Sequence, residues 1–474
     1  MEATVIQYII IVLYFAFILI KGIRHKNDIE TQDDFLLAGR NIGWFMLLCT
    51  MGATIVGGGY SIGAIGKTYE LGIAMLVISA GGYLQLVFSG LFVAPKFREA
   101  NLYTVAGFFG HRFDERSRFL TFLLSLIFSI GVLGAQMVAF GKIITTMIPE
   151  LSYPLAVTIG AAMVILYSTA GGLLAVIKTD FYQFLILVAG FTLTVILCIP
   201  ELSAEPGTFS SLVPEKFFQI DSGEGWTFLI TMFLAFLLGE TFAPGYATRF
   251  CVGKDIKQTK KGIAGAGIFL MLFFPAIIFF IALYARVFFP DIDPEAALPS
   301  TILRLNNPIV GGIIIAALMS AVMSSADSIL NSATAIFTKD LWEHYLGKKT
   351  TNHRESLRIA RLSSLGLGLA GIALALVVPD IIDLLLLTYN LWAPGIILPI
   401  IVGVFSKNHG KEQNNAIFIT IVLAMTATIA FMLTPYSENF QASVFGVGAS
   451  IIFYMAMLAY NRLSGAGKGE TVTG

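Results

Sequence analysis

The chain has 474 residues, 56% of them hydrophobic and 13% charged, with a mean hydropathy of +0.81. That composition excludes a soluble globular domain and fits a polytopic membrane protein. Thirty Lys and Arg balance thirty Asp and Glu, so the net charge points to no nucleic-acid partner. Hydropathy predicts about thirteen spans: 4–22, 43–66, 72–95, 119–146, 153–170, 174–199, 226–250, 262–287, 308–336, 357–378, 383–405, 414–433 and 443–461. The first lacks the basic leader and small-residue cleavage site of a signal peptide and is read as a helix. The connections at 200–225 and 337–356 are too short for a soluble module, and the Gly-rich tail after Arg462 reads as disordered.

Lys and Arg concentrate in alternate loops. One set carries Lys21, Arg24, Lys26 and Arg40, then Lys96, Arg98, Arg112, Arg116 and Arg118, then Lys254, Lys257, Lys260 and Lys261, then Lys339, Lys348, Lys349, Arg354 and Arg358, then Lys407 and Lys411. The other set is short or acidic: Glu150, then Glu201, Glu205, Glu215, Asp221 and Glu224, then Asp291, Asp293 and Glu295. The positive-inside rule then predicts an N-terminus outside and a cytoplasmic C-terminus in a plasma (inner) membrane. Cys49, Cys198 and Cys251 have no metal or disulfide spacing. The five histidines all fall in polar connections, which leaves no His relay inside the membrane.

Two spans are broken in the middle. Ala53-Thr54-Ile55-Val56-Gly57-Gly58-Gly59 interrupts one, and Gly239-Glu240-Thr241-Phe242-Ala243-Pro244-Gly245 the other. Hydrocarbon offers no water to satisfy freed backbone groups, so such breaks persist only where they line a buried site. A pair of them, one per half, points to the binding site of a secondary transporter.

The span at 308–336 contains Ala321-Val322-Met323-Ser324-Ser325-Ala326-Asp327-Ser328. Helical spacing aligns Ala321, Ser325 and Ser328, with Ser324 beside them. Serines alone are common packing residues in membranes. The carboxylate of Asp327 shifts the reading towards an ion or proton pathway. Ser324 lies roughly 18 Å of helix from the inner end of its span and Ala53 roughly 15 Å, so the two can meet at one depth. Freed carbonyls with hydroxyls make a hard-oxygen set suited to a monovalent cation.

Asp180, in Gly171-Gly172-Leu173-Leu174-Ala175-Val176-Ile177-Lys178-Thr179-Asp180-Phe181-Tyr182-Gln183, has two readings. It is a membrane-edge Asp paired with Lys178 or an inner-loop Arg, or part of a second cation or proton site with Asp327 and Ser328. Glu240 either caps freed amides at a half-helix start or contacts a solute bearing an amine. Phe236, Tyr83, Tyr246 and Trp392 are candidates for a pocket lining, against the commoner role of packing. Arg249, Lys142 and Arg286 sit near span ends and read as snorkelling side chains.

These motifs resemble the sodium:solute symporter family over about residues 33–405. Asp34-Phe35-Leu36-Leu37-Ala38-Gly39-Arg40 is similar to its cytoplasmic motif before the first core helix, Gly171–Gln183 to its fifth-core-helix signature, and Ala321–Ser328 to its sodium-binding eighth core helix. The resemblance implies an all-α LeuT-type fold, a five-plus-five inverted repeat over 43–199 and 226–405. The region 1–42, with one extra helix, precedes the repeats, an outer loop at 200–225 joins them, and two helices in 406–474 follow. It further implies a sodium site of the Ala53, Val56 and Ala321 carbonyls with the Ser324 and Ser325 hydroxyls. A second site for sodium or a proton falls at Asp180, Ser324, Asp327 and Ser328, and a solute site at Glu240, Phe236, Gly57, Gly58, Tyr83 and Trp392. The choline and proline branches are the nearest in motif. Trp positions of the choline branch read Ile55, Val132 and Ala243 here, so choline is not the expected solute, and Glu240 stands where the proline branch has aromatics.

The expected function is sodium-coupled symport of a small organic solute, with an amino acid or amine-bearing solute preferred. The expected partners are sodium as coupling ion, the solute and the lipid bilayer, with no protein partner indicated. Proton-coupled symport and a membrane nutrient sensor that binds without transporting are the alternatives. No nucleophile–base pair, metal cluster or phosphate loop marks an enzyme.

Overall fold

The computed structural model describes residues 2–24, 29, 31–204, 213–305, 308–347, 353–406, 410–438 and 440–463. The described chain is helical apart from loops and a single β-bridge. The tail expected to be disordered lies outside the described residues.

Helix α1 covers Glu2–Arg24. The first broken span is α2, Trp44–Ile55, followed by α3, Gly59–Leu71, bent by 63°. Then come α4, Ala74–Glu99, and α5, Glu115–Met147. Next are α6, Tyr153–Leu166, and α7, Gly171–Ala204. The second broken span is α8, Trp226–Gly239, and α9, Pro244–Val252, bent by 48°. The remainder is α10, Ile256–Phe288; α11, Ala297–Leu305; α12, Pro308–Tyr345, and α13, Arg354–Val377; and α14, Ile381–Phe405, α15, Lys411–Met432, and α16, Ala442–Leu463.

Among the described residues, nine helices are long and apolar enough to cross a membrane, or eleven if each bent pair is one span. The predicted spans 4–22 and 153–170 correspond to shorter apolar stretches, Tyr8–Lys21 and Tyr153–Leu166. Two expected connections are partly helical: α7 runs on to Ala204, and α12 continues through a π-helical stretch, Ile336–Tyr345.

Four helix starts follow from local chemistry. Asp114, Asp255 and Asp380 cap α5, α10 and α14 by accepting from the amides of Ser117, Gln258 and Asp383. Pro244 opens α9, where its missing N–H costs nothing. At the start of α7 the chain turns at Gly172, with φ 55° and ψ −164°. That conformation is open only to glycine, and a Cβ there would lie 2.6 Å from the Phe35 carbonyl.

α12 occupies the centre: 83% of its most apolar window is buried, against 28% for α16. It packs on α7, α5, α1 and α2. Outward-facing Ile, Leu and Val on α1, α13, α15 and α16 are exposed, as a lipid-facing surface requires.

The two ends of the bundle differ in charge. At the basic end, Ile42 and Gly253 pair as a parallel bridge. The Ile42 amide donates to Val252 O at 3.1 Å and the Lys254 amide to Ile42 O at 2.9 Å. Arg98 Nε donates to Gly253 O at 2.7 Å. The backbone before the first broken span is thus fastened to the backbone after the second. At the opposite, acidic end, Lys142 Nζ on α5 pairs with Asp293 at 2.6 Å and with Glu295 at 3.5 Å. Glu295 also accepts the Ile381 amide at the start of α14, at 2.8 Å. Burial pushes the Glu295 carboxyl up to about 7. Lys142 is therefore ion-paired, and Arg286 donates to Pro290 O and lies over the Tyr69 ring.

Candidate ion and solute site

The first break begins where α2 stops at Ile55 and Val56 takes φ −84°, ψ 46°. Gly57 and Gly58 follow. A Cβ on Gly57 would lie 2.2 Å from Ser325 Oγ and 2.6 Å from Gln136 Oε1, so only glycine lets α2 approach α12 and α5 this closely. The Gly58 amide, freed by the break, is satisfied by Gln136 Oε1 at 2.7 Å.

Freed carbonyls meet the α12 serines here. Ser324 Oγ lies 2.9 Å from Ala53 O and 3.0 Å from Ala321 O. Ser325 Oγ donates to Thr54 O at 2.5 Å. Ala53, Ala321 and Ser324 are fully buried and Ser325 is 2% exposed. The structure thus brings together three oxygens of the expected sodium set, and directs Ser325 to the Thr54 carbonyl rather than to that of Val56. The donor set is all hard oxygen without a carboxylate, which suits a monovalent cation better than a divalent one. Such an ion would take over the lone pairs that the hydroxyl protons now occupy.

The second break centres on Glu240, with Phe242 held in the left-handed region at φ 63°. Glu240 accepts from the hydroxyls of Tyr246 and Tyr389, the latter at 2.5 Å. Trp392 Nε1 donates to the freed carbonyl of Thr241 at 3.0 Å. Glu240 is 6% exposed.

A small cavity separates the breaks, with about 20 Å³ open to water centres, room for about one water. Glu240 and Gly57 line it, with Thr54, Ser325, Tyr60, Gln136, Phe128 and Tyr246. Ile55, Val132 and Ala243, the positions matched to tryptophans above, form part of its apolar wall. Phe236, Gly58, Tyr83 and Trp392 are not among its lining residues. Phe236 and Tyr83 pack on Tyr60, at 5.8 and 5.3 Å between ring centroids, and Trp392 packs on Phe128 at 4.9 Å.

Arg249 corrects the sequence reading. It does not snorkel but is fully buried. Its Nη2 lies 3.2 Å from Asp180 Oδ2 and 2.5 Å from Ser328 Oγ, and its Nε 3.1 Å from Thr50 Oγ1. Thr50 Oγ1 also donates to Asp180 at 2.5 Å. Asp180 is thus paired with an arginine of the second broken span and not with Lys178. Ser328 Oγ lies 3.1 Å from Thr54 Oγ1 and 3.2 Å from Asp327 Oδ1.

Gln136, Tyr60 and Tyr389 were missed from sequence. Gln136 alone carried a signal: a lone amide in the middle of an apolar span must find a partner.

The model of the sodium:solute symporter family matches residues 35–414. A sodium/proline symporter of Staphylococcus aureus is 27% identical over 81% of this chain and 78% of that protein. The high-affinity choline transporter 1 of Drosophila melanogaster is 27% identical over 81% of this chain and 63% of that protein. Among solved structures, the substrate-bound outward-open state of a Na+-coupled sialic acid symporter superposes with a TM-score of 0.82 at 20% identity, covering 96% of this chain and 98% of that one. MhsT in complex with L-phenylalanine gives 0.55 at 15% identity, over 87% and 98%. Those likenesses show the LeuT-type fold. With the family model spanning most of the chain, the protein belongs to the sodium:solute symporter family of membrane transporters.

Proposed function

We propose that this chain couples inward sodium flow to uptake of a small organic solute carrying an amine or other cationic group. The observation that carries it is the Ser324 hydroxyl between the Ala53 and Ala321 carbonyls, at 2.9 and 3.0 Å, beside a cavity whose one carboxyl is that of Glu240. Sodium at Ala53, Val56, Ala321, Ser324 and Ser325 ties the broken α2 to α12. The same break forms one wall of the cavity, so ion and solute each favour the arrangement the other needs. The cavity as described is too small for a solute. Its walls, formed by the two broken spans with α5, α12 and α14, therefore part to admit one.

The solute site is Glu240 and Gly57 with Tyr60, Gln136, Phe128 and Tyr246, backed by Phe236, Gly58, Tyr83 and Trp392. A carboxyl among aromatic faces favours a cation, and the Ile55, Val132 and Ala243 wall accepts an apolar body. The repeats are 43–199 and 226–405. The basic end faces the cytoplasm of a cell expressing the protein in its plasma membrane, by the Lys/Arg bias.

The test is thermal stability of purified protein in detergent, titrated with NaCl against matched KCl, for wild type and Ser324→Ala. A ligand that binds only the folded state raises its stability by mass action. A sodium-specific rise in wild type that is lost in the variant supports the reading. Equal effects of both salts would put proton coupling first.

A further inference from the structure

Below the sodium site, towards the basic end, lies a second cluster of buried oxygens: the Asp180 carboxylate and the hydroxyls of Thr50 and Ser328, all fully buried. One carboxylate and two hydroxyls are a donor set for a hard cation. A cation already stands there. The Arg249 guanidinium reaches all three through Nη2 and Nε. Its Nη1 donates to Gly245 O at 3.1 Å, which holds the side chain along its own helix. Arginine does not lose its proton in proteins, and a buried charge persists only where it is paired.

We infer that Arg249 is a tethered cation filling the second ion position, and that this chain therefore binds one sodium per solute. The inference rests on the sodium-symport reading of the Ala53–Ser324 site. Asp180 is neutralised in every conformation that keeps the pair, so its own charge calls for no mobile ion. Asp180 Oδ1 is buried and has no hydrogen-bond partner among the described residues. That oxygen is a ready ligand for a mobile ion once the guanidinium is gone.

The experiment counts sodium by equilibrium binding of radioactive sodium to purified wild type, Arg249→Gln, Arg249→Lys and the Asp180→Asn/Arg249→Gln double variant. Wild type and Arg249→Lys should bind one sodium per chain, Arg249→Gln two, and the double variant one again. Two sodium ions in wild type, or one in folded Arg249→Gln, would overturn the inference. Sodium binding absent from wild type would instead sink the symport reading on which it rests. Should Arg249→Gln fail to fold, the wild-type count decides: one supports a tethered cation and two overturns it.

Discussion

The Tyr389 hydroxyl donates to Glu240 at 2.5 Å, so one phenol ties α14 to the break between α8 and α9. Tyr389→Phe leaves a buried carboxyl oxygen short of a donor, at a cost of about 1–3 kcal/mol. Thermal melts in detergent should show the loss. The sodium-specific rise should remain, because the Ala53 carbonyl lies on α2 and the Ala321 and Ser324 oxygens on α12. A melt unchanged from wild type would mean the hydrogen bond carries no stability.

Glu240→Gln keeps the size and shape of the side chain and removes its capacity for negative charge. Binding of cationic solutes should weaken at least about tenfold, equivalent to about 1.4 kcal/mol. Sodium-dependent stabilisation without solute should hold. A competition panel of cationic, zwitterionic and neutral solutes checks this, and equal loss across the panel would argue for a purely structural Glu240.

Gly57→Ala places a methyl 2.2 Å from Ser325 Oγ and 2.6 Å from Gln136 Oε1. Neither neighbour can retreat without surrendering its hydrogen bond to Thr54 O or to the Gly58 amide. Overpacking of this kind costs about 1–3 kcal/mol. The expected result is folded protein with sodium affinity lowered at least about tenfold, read from the NaCl titration. Wild-type sodium affinity would show that the α2–α12 contact does not shape the ion site.

Glu295 supplies a pH test at the acidic end. Burial raises its carboxyl from an ordinary 4.5 to about 7, against the opposing pull of the Ile381 amide and Lys142. The folded state therefore holds a proton that the unfolded chain releases. Its contribution is fully present below about pH 4.5 and is lost as pH rises through about 7, a change on the order of 3 kcal/mol. Glu295→Gln mimics the protonated form and keeps an acceptor for the Ile381 amide. The variant should melt like wild type near pH 5 and above it near pH 8. A difference independent of pH would remove Glu295 as the titrating group.

Much of the frame was readable because membrane helices signal their own exceptions. Gly57-Gly58-Gly59 and Pro244-Gly245 cannot continue a helix quietly, and both mark breaks in the structure. The meeting of Ser324 with Ala53 followed from counting rise along two spans. Arg249 was misread for a definite reason. Its distance from the span end allows either snorkelling or burial, and only the positions of Thr50, Asp180 and Ser328 on three other helices decide between them. Tyr389 was illegible for a related reason, since an aromatic ring in hydrocarbon looks the same in sequence whether or not its hydroxyl has work to do, and nothing in the sequence marks the Tyr60 ring as a cavity wall. The π-helical continuation of α12 left no compositional mark.

The Ile42–Gly253 bridge has a consequence for how the transporter can be altered. Its two bonds run between main-chain atoms, Ile42 N to Val252 O and Lys254 N to Ile42 O, so they survive almost any exchange of side chain. Alanine replacement along this stretch would pass over the joint without registering it. Proline at position 42 or at 254 deletes one of the two amides and leaves the other bond in place, so it takes both prolines together to remove the main-chain joint between the ends of the two broken helices.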